Sequence, residues 1–306
     1  MLEQYKVGDM MDDYAFIRQL QIKEDRKGQL FLSLTLQDKT RMMDAKYWHI
    51  PKELARQFNQ GQVVHFKGEL TEFNGRPQIK LLYLEKATGP VAEISLYIEG
   101  APLTTKEMKE EIYSYIDAMS TDLKQLMTLL FKQYGDEFFT AAAAKTNHHS
   151  FAGGLSYHTL CMLRLAKDIA KHYKEVDTGL LYAGVICHDF GKIWEMTPPP
   201  TVEYTLAGEL LGHLTMMSEA ITVLCLEHNI PLSQDILCLK HLILAHHGKL
   251  EFASPVVPKL LEAELLHQID YMDASMNMMT NALDHTACHQ FTDRINAMEG
   301  RSFYKK

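Results

Sequence analysis

Seven side chains in the C-terminal two thirds of this 306-residue chain could hold a divalent cation: His158, the pair His188-Asp189, His213, the pair His246-His247, and Asp270. Each falls within, or near an end of, a different predicted helix. Helices packed side by side can converge such donors on one interior point, as they do in bundle metal sites. Imidazoles and carboxylates buried without partners cost on the order of several kcal/mol, so a shared cation is an economical reason to set them on otherwise apolar faces.

Around this set stand further candidates. Lys192, one helical turn beyond His188-Asp189, could place an ammonium against a phosphate oxygen, which makes Lys192 and Asp189 the catalytic pair; a solvated helix lysine is the plainer reading. Either member of the His246-His247 pair could be the ligand, with the other contacting substrate or an outer carboxylate. His148 and His149 precede Phe151-Ala-Gly-Gly154 in a loop opening the first ligand helix, where they touch substrate or stay solvated. Gly153-Gly154 reads as backbone geometry, a positive φ or a close chain approach. His172, His228, His241, His267, His285 and His289 are read as packed or surface residues.

The elements that position these groups are helical. From Thr104 onward apolar residues recur at steps of three and four through segments such as LSYHTLCMLRLAKDIAKHY, TGLLYAGVICHDF and LHQIDYMDASMNMM. The run AAAAK at 141–145 reads as a strong helix former, and the methionines, MNMM at 276–279 included, as flexible core filling. Residues 14–86 differ. FLSLTLQD alternates apolar and polar residues with period two, and Gly28, Gly61 and Asn74-Gly75 sit where turns are needed. Five strands with one helix, 52–59, after the third is the order of an OB-fold barrel, and this segment resembles nucleic-acid-binding OB domains. The reading is multidomain: an all-β OB-fold barrel over 1–90, a Gly- and Pro-bearing linker over 91–104, and an all-α helical bundle over 105–306. On the barrel, Phe31, Tyr47, Trp48 and Phe73 are suited to stacking bases, and Lys39, Arg41, Lys46 and Arg76 to phosphates. Strand alternation sends about half of those aromatics into the core.

Composition fits two folded domains: 46% hydrophobic and 23% charged residues exclude a disordered chain. The longest apolar run, Leu180 to Cys187, is far short of a bilayer span, and the opening residues lack a secretory pattern, so no membrane role and a cytoplasmic location are expected. Five cysteines without a CxxC pair read as reduced, buried thiols. Net charge is −8, unevenly placed: residues 1–90 carry 14 Lys and Arg against 12 Asp and Glu, and residues 91–306 carry 17 against 27. The acidic part would repel a polyanion unless cations intervene. Self-association would help both the apolar helical surface and the weakly basic barrel.

GGLSYHTL around His158, VICHDFGK around His188-Asp189 and LHQIDYMD around Asp270 resemble the HD-domain metal-dependent phosphohydrolases, over roughly residues 145–280. GELLGHL and LILAHHGK match the further histidines of HD proteins that hold two metals. The resemblance implies one divalent ion on His158, His188, Asp189 and Asp270, with Asp189 bridging to a second completed by His213 and His246. Mn²⁺ is the first choice, with Mg²⁺, Fe²⁺ or Zn²⁺ as alternatives. Paired cations would acidify a water and offset charge at a transferring phosphoryl group. The order of OB and HD domains is similar to the YhaM-type 3′-to-5′ exoribonucleases. That resemblance implies hydrolysis of single-stranded RNA from a free 3′ end to nucleoside 5′-monophosphates, with single-stranded DNA left open. The alternatives are an HD phosphodiesterase acting on nucleotides or cyclic dinucleotides, oxygen chemistry at a di-iron site, and a non-catalytic nucleic-acid-binding module.

Overall fold

The computed structural model describes residues 1–306 apart from 26, 99, 144–150 and 200–201 and the side chain of residue 95. The chain divides into two compact units, Met1–Gly100 and Ala101–Lys306.

The first unit is a closed five-stranded barrel in the order β1-β2-β3-β5-β4. Its strands are β1 (Met10–Glu24), β2 (Leu30–Gln37), β3 (Met42–Trp48), β4 (Val63–Phe73) and β5 (Arg76–Lys86), with the short helix α1 (Lys52–Ala55) between β3 and β4. Alternation decides which side chains face in. Leu32, Leu34 and Leu36 of β2 are buried with Met43 and Ala45 of β3, while the intervening residues face out. The barrel closes where β3 and β5 pair in parallel, from Asp44 opposite Gln78 to Lys46 opposite Lys80. Asn74 and Gly75 both take positive φ, 51° and 75°, as a two-residue hairpin turn requires. The helix expected over 52–59 is confined to four residues, because Phe58 turns into the barrel core and is 4% exposed.

The second unit is built from α2 (Thr105–Ile116), α3 (Thr121–Thr140), α4 (Gly154–Ala170), α5 (Thr178–Cys187), α6 (Lys192–Glu195), α7 (Leu206–Glu227), α8 (Gln234–Ala245) and α9 (Leu261–Asp284). The axis of this bundle is α5, in which every residue from Gly179 to Cys187 is buried. A helix apolar all round has no solvent face and must be covered on every side. Two glycines permit the covering: a Cβ on Gly179 would meet the Ala118 carbonyl oxygen at 2.6 Å, and one on Gly184 the Leu242 side chain at 2.4 Å. By length and composition α7 could cross a bilayer, yet Gly212 breaks it with φ 72° and ψ 153°, and Met217, Ile221, Leu224 and Cys225 pack into the bundle core.

Several expectations are corrected. The alanine run does not continue a helix over 141–143, since α3 ends at Thr140. The carbonyls of Thr140 and Ala141 accept instead from Gly153 and Leu155, at the start of α4. Residues 144 and 145 of that run lie outside the described residues. Of MNMM, Met276 is 56% exposed, while Met278 and Met279 are half-buried and lie outside the buried core cluster. Cys288 is exposed, although Cys187 and Cys225 are buried. The sequence reading contained neither α6 nor the hairpin-like tail that closes with the Phe291–Tyr304 and Ile295–Arg301 bridges.

Candidate functional site

The donors of the second unit converge. His158 comes from α4, His188-Asp189 from the C-terminal end of α5, His213 from just past the break in α7, His246 from the C-cap of α8, and Asp270 from mid-α9. Ligand atoms of His158, His188 and Asp270 lie within 4.8 Å of one another, and so do those of His213, His246 and His247. Asp189 stands between the groups: Oδ2 is 3.3 Å from His188 Nε2, while Oδ1 is 3.2 Å from His213 Nε2 and 3.8 Å from His246 Nε2.

Each imidazole is fixed through its other nitrogen. Nδ1 of His188 donates to the Val185 carbonyl at 2.8 Å, and Nδ1 of His246 to that of Ile243 at 2.9 Å. Asp273 Oδ2 lies 2.6 Å from His158 Nδ1, and Glu195 Oε1 accepts from both the backbone N–H and Nδ1 of His213 at 3.0 Å. Holding Nδ1–H in this way leaves the Nε2 lone pair pointing into the site, which is how metal-binding histidines are oriented. The Nε2 atoms of His188 and His213 are buried, face Asp189 oxygens, and make no hydrogen bond. Such an arrangement costs free energy with protein alone, whereas a divalent cation satisfies it, so the residues fit such an ion.

The electrostatics agree. Burial opposes charge on Asp189, but Lys192 and the neighbouring imidazoles hold its carboxyl well below the usual range. Burial would likewise suppress the His158 imidazolium, yet Asp270 and Asp273 raise it to about 9. His246 and His247 go the other way: burial, reinforced by neighbouring imidazoles, keeps them neutral and ready to ligate. Lys192 Nζ pairs with Asp189 Oδ2 at 2.7 Å and donates to the Ala143 carbonyl at 2.7 Å, while its side chain lines the cavity. That cavity, about 300 Å³, is also bounded by Asp189, His246, His247, Asp270 and His267.

His267, read as packing, therefore belongs to the site wall, and it donates from Nδ1 to the His246 carbonyl at 2.8 Å. Its signal was a position three residues before Asp270 on one helix face. Asp273, three residues after Asp270, carried the same signal. Glu195 carried none, because it reaches His213 only through tertiary packing. His148 and His149 lie outside the described residues.

On the barrel, Phe31 and Trp48 are register partners whose rings stack at 4.5 Å, and Lys46 Nζ lies 5.6 Å from the Phe31 ring. Tyr47, in contrast, faces inward and packs on the barrel core. Lys39 and Arg41 occupy the β2–β3 turn, with Lys39 exposed and Arg41 half-buried; Phe73, 60% exposed, and Arg76 flank the β4–β5 turn. Phe31 lies at the start of β2 and Lys39 in the turn beyond its end, separated by six strand residues or roughly 20 Å, so these candidates do not form one cluster.

Comparison with known proteins places both halves. The HD domain profile matches residues 155–275, and that of the OB-fold nucleic acid binding domain matches 15–87. The chain is 40% identical over 302 residues to the 3′-5′ exoribonuclease YhaM of Listeria monocytogenes, covering 98% of this chain and 96% of that one. It is 41% identical over 303 residues to the 3′-5′ exoribonuclease YhaM of Halalkalibacterium halodurans, covering 98% and 94%. With alignment at this identity running through barrel and bundle alike, the chain belongs to the family of YhaM 3′-5′ exoribonucleases.

Proposed function

We propose that this protein is a metal-dependent exoribonuclease that shortens single-stranded RNA from its 3′ end and releases nucleoside 5′-monophosphates. The observation that carries the reading is the double cluster of Nε2 and carboxylate donors sharing Asp189. Divalent ions held there, with Mn²⁺ the first choice from the family resemblance and Mg²⁺, Fe²⁺ or Zn²⁺ as alternatives, would supply Lewis acidity and an acidified water at neutral pH. His158, His188 and Asp270 would hold one ion, and His213 and His246 a second, with Asp189 shared. His247 completes the second group or meets the substrate.

Lys192 positions Asp189 and keeps it ionised. Two of the three ammonium protons are used on Asp189 and Ala143, and the third is available to a phosphate oxygen. The barrel, assigned to residues 1–90 and joined through 91–104 to the bundle over 105–306, would capture the strand. Phe31 and Trp48 stack bases beside Lys46, and Lys39, Arg41, Phe73 and Arg76 provide further contacts. Stacking of this kind is indifferent to sequence and to sugar, so single-stranded DNA is a second substrate in this reading. Five unpaired cysteines support a reducing, cytoplasmic setting.

The test is incubation of 5′-labelled single-stranded RNA, with and without a 3′ block, across a divalent-metal panel. The expected result is a ladder shrinking from the unblocked terminus with Mn²⁺ and no shortening of blocked RNA. Equal hydrolysis of blocked and unblocked strands would refute the exonucleolytic reading.

A further inference from the structure

The wall of the cavity carries two aromatic rings that the donor set does not use. Phe252 and Tyr271 both line it, yet they are 56% and 55% exposed, so neither is there to complete a core. Each is tethered to the site. The Phe252 carbonyl accepts from His247 Nδ1 at 2.9 Å, and Tyr271 directly follows Asp270 on α9. A cation attends each ring as well. Lys249 Nζ, which also pairs with Glu251, lies 5.2 Å from the centre of the Phe252 ring; Arg301 Nη2 is 3.4 Å from the Tyr271 hydroxyl. Rings displayed at the wall of a polar cavity are useful where bases must be held, because every base has a π-face.

We propose that Phe252 and Tyr271 form a stacking clamp at the mouth of the metal site, gripping the bases of the 3′-terminal nucleotides while Lys249 and Arg301 meet their phosphates. This rests on the exoribonuclease reading above and adds to it a binding element within the acidic bundle itself. A cavity of about 300 Å³ is at the small end for ligand sites, which suits an unpaired terminal nucleotide and excludes a duplex end. The clamp also answers the charge problem of a bundle whose carboxylates repel RNA: neutral rings and two local cations hold the strand where the protein's overall field does not.

The test uses the full chain and compares wild type, the double variant Phe252→Ala/Tyr271→Ala, and the conservative pair Phe252→Tyr and Tyr271→Phe. On single-stranded RNA the alanine variant should raise KM roughly five- to hundred-fold with a smaller change in kcat, and the conservative variants should stay close to wild type. On RNA whose 3′-terminal residues are abasic, wild type and the alanine variant should perform alike, since the bases that the rings grip are gone. Binding of RNA ending in 2-aminopurine, followed in EDTA so that no turnover occurs, should quench fluorescence with wild type and not with the alanine variant. A wild-type KM in the alanine variant, or an equal loss on abasic and intact RNA, overturns the clamp. Quenching by wild type that shortens no RNA in any metal overturns the exoribonuclease reading and leaves the clamp standing, so the two failures are distinct.

Discussion

At the residue scale the site is a set of imidazoles whose Nε2 atoms are aimed into the site by a second set of acceptors on Nδ1. Asp273 holds His158 and Glu195 holds His213, each through Nδ1. Asp273→Asn removes a charge while nearly preserving shape. It should weaken metal binding by about 10- to 100-fold, read as the dissociation constant by isothermal titration, with little change in the folded-state spectrum. Binding should also depend on pH with a definite sign. In the metal-free protein His158 is raised from 6.5 to about 9, so at neutral pH it carries a proton that an incoming cation must expel. Affinity for the ion on His158 should therefore climb as pH rises from 6.5 and level off above about 9. An affinity that is flat or falls over that window would show that His158 is not a ligand.

At the element scale, two close approaches explain why the donors meet. A Cβ on Gly191 would lie 2.3 Å from the His213 carbonyl oxygen, and one on Gly208 would lie 2.2 Å from that of Glu195, so α6 and the start of α7 touch backbone to backbone. Gly191→Ala must push His213 away from Asp189. We expect a loss of about 1–3 kcal/mol in denaturant unfolding together with a reduced metal stoichiometry in elemental analysis. In the barrel, Asp38 accepts from the backbone N–H groups of Leu2, Thr40 and Arg41, tying the β2–β3 turn to the N-terminal segment. Burial disfavours its charge, but these bonds and the Thr40 hydroxyl leave its pKa below 3.8. A depressed folded pKa means that the stabilisation is complete above the unfolded value and disappears as pH falls through the folded one. The melting temperature of wild type should therefore drop more steeply below pH 4 than that of Asp38→Asn. These elements also mark what the sequence made legible. Strand alternation and helical periodicity announced the barrel and the bundle, because periodicity records which face is covered; the donors from His158 to Asp270 were legible only from their residue types and from the motifs that resemble the HD-domain phosphohydrolases. Periodicity is blind to contacts between segments distant in sequence. It therefore missed α6, the Glu195–His213 bond and the capture of the Thr140 and Ala141 carbonyls by α4, which stops the alanine run from extending α3.

At the scale of the whole molecule, the two units bring different currencies of binding. Each has its own apolar core, Leu32, Leu34, Phe66 and Ile79 in the barrel and the residues around α5 in the bundle, so residues 101–306 should fold without residues 1–100. The separated bundle keeps the donors, Lys192 and the rings at the cavity mouth, and loses the stacked Phe31–Trp48 pair and the cations beside it. Its turnover at saturating RNA should stay within a few-fold of the full chain, while KM rises. The salt dependence of KM should become shallower, because each phosphate contact removed from a single strand takes with it about 0.7 of a unit of the logarithmic salt slope. Measuring kcat and KM for both proteins from 50 to 200 mM salt separates the contributions. If turnover and KM deteriorated together, with the slope unchanged, the barrel would be supporting the bundle's structure, and capture of the strand would have to be sought on the bundle alone.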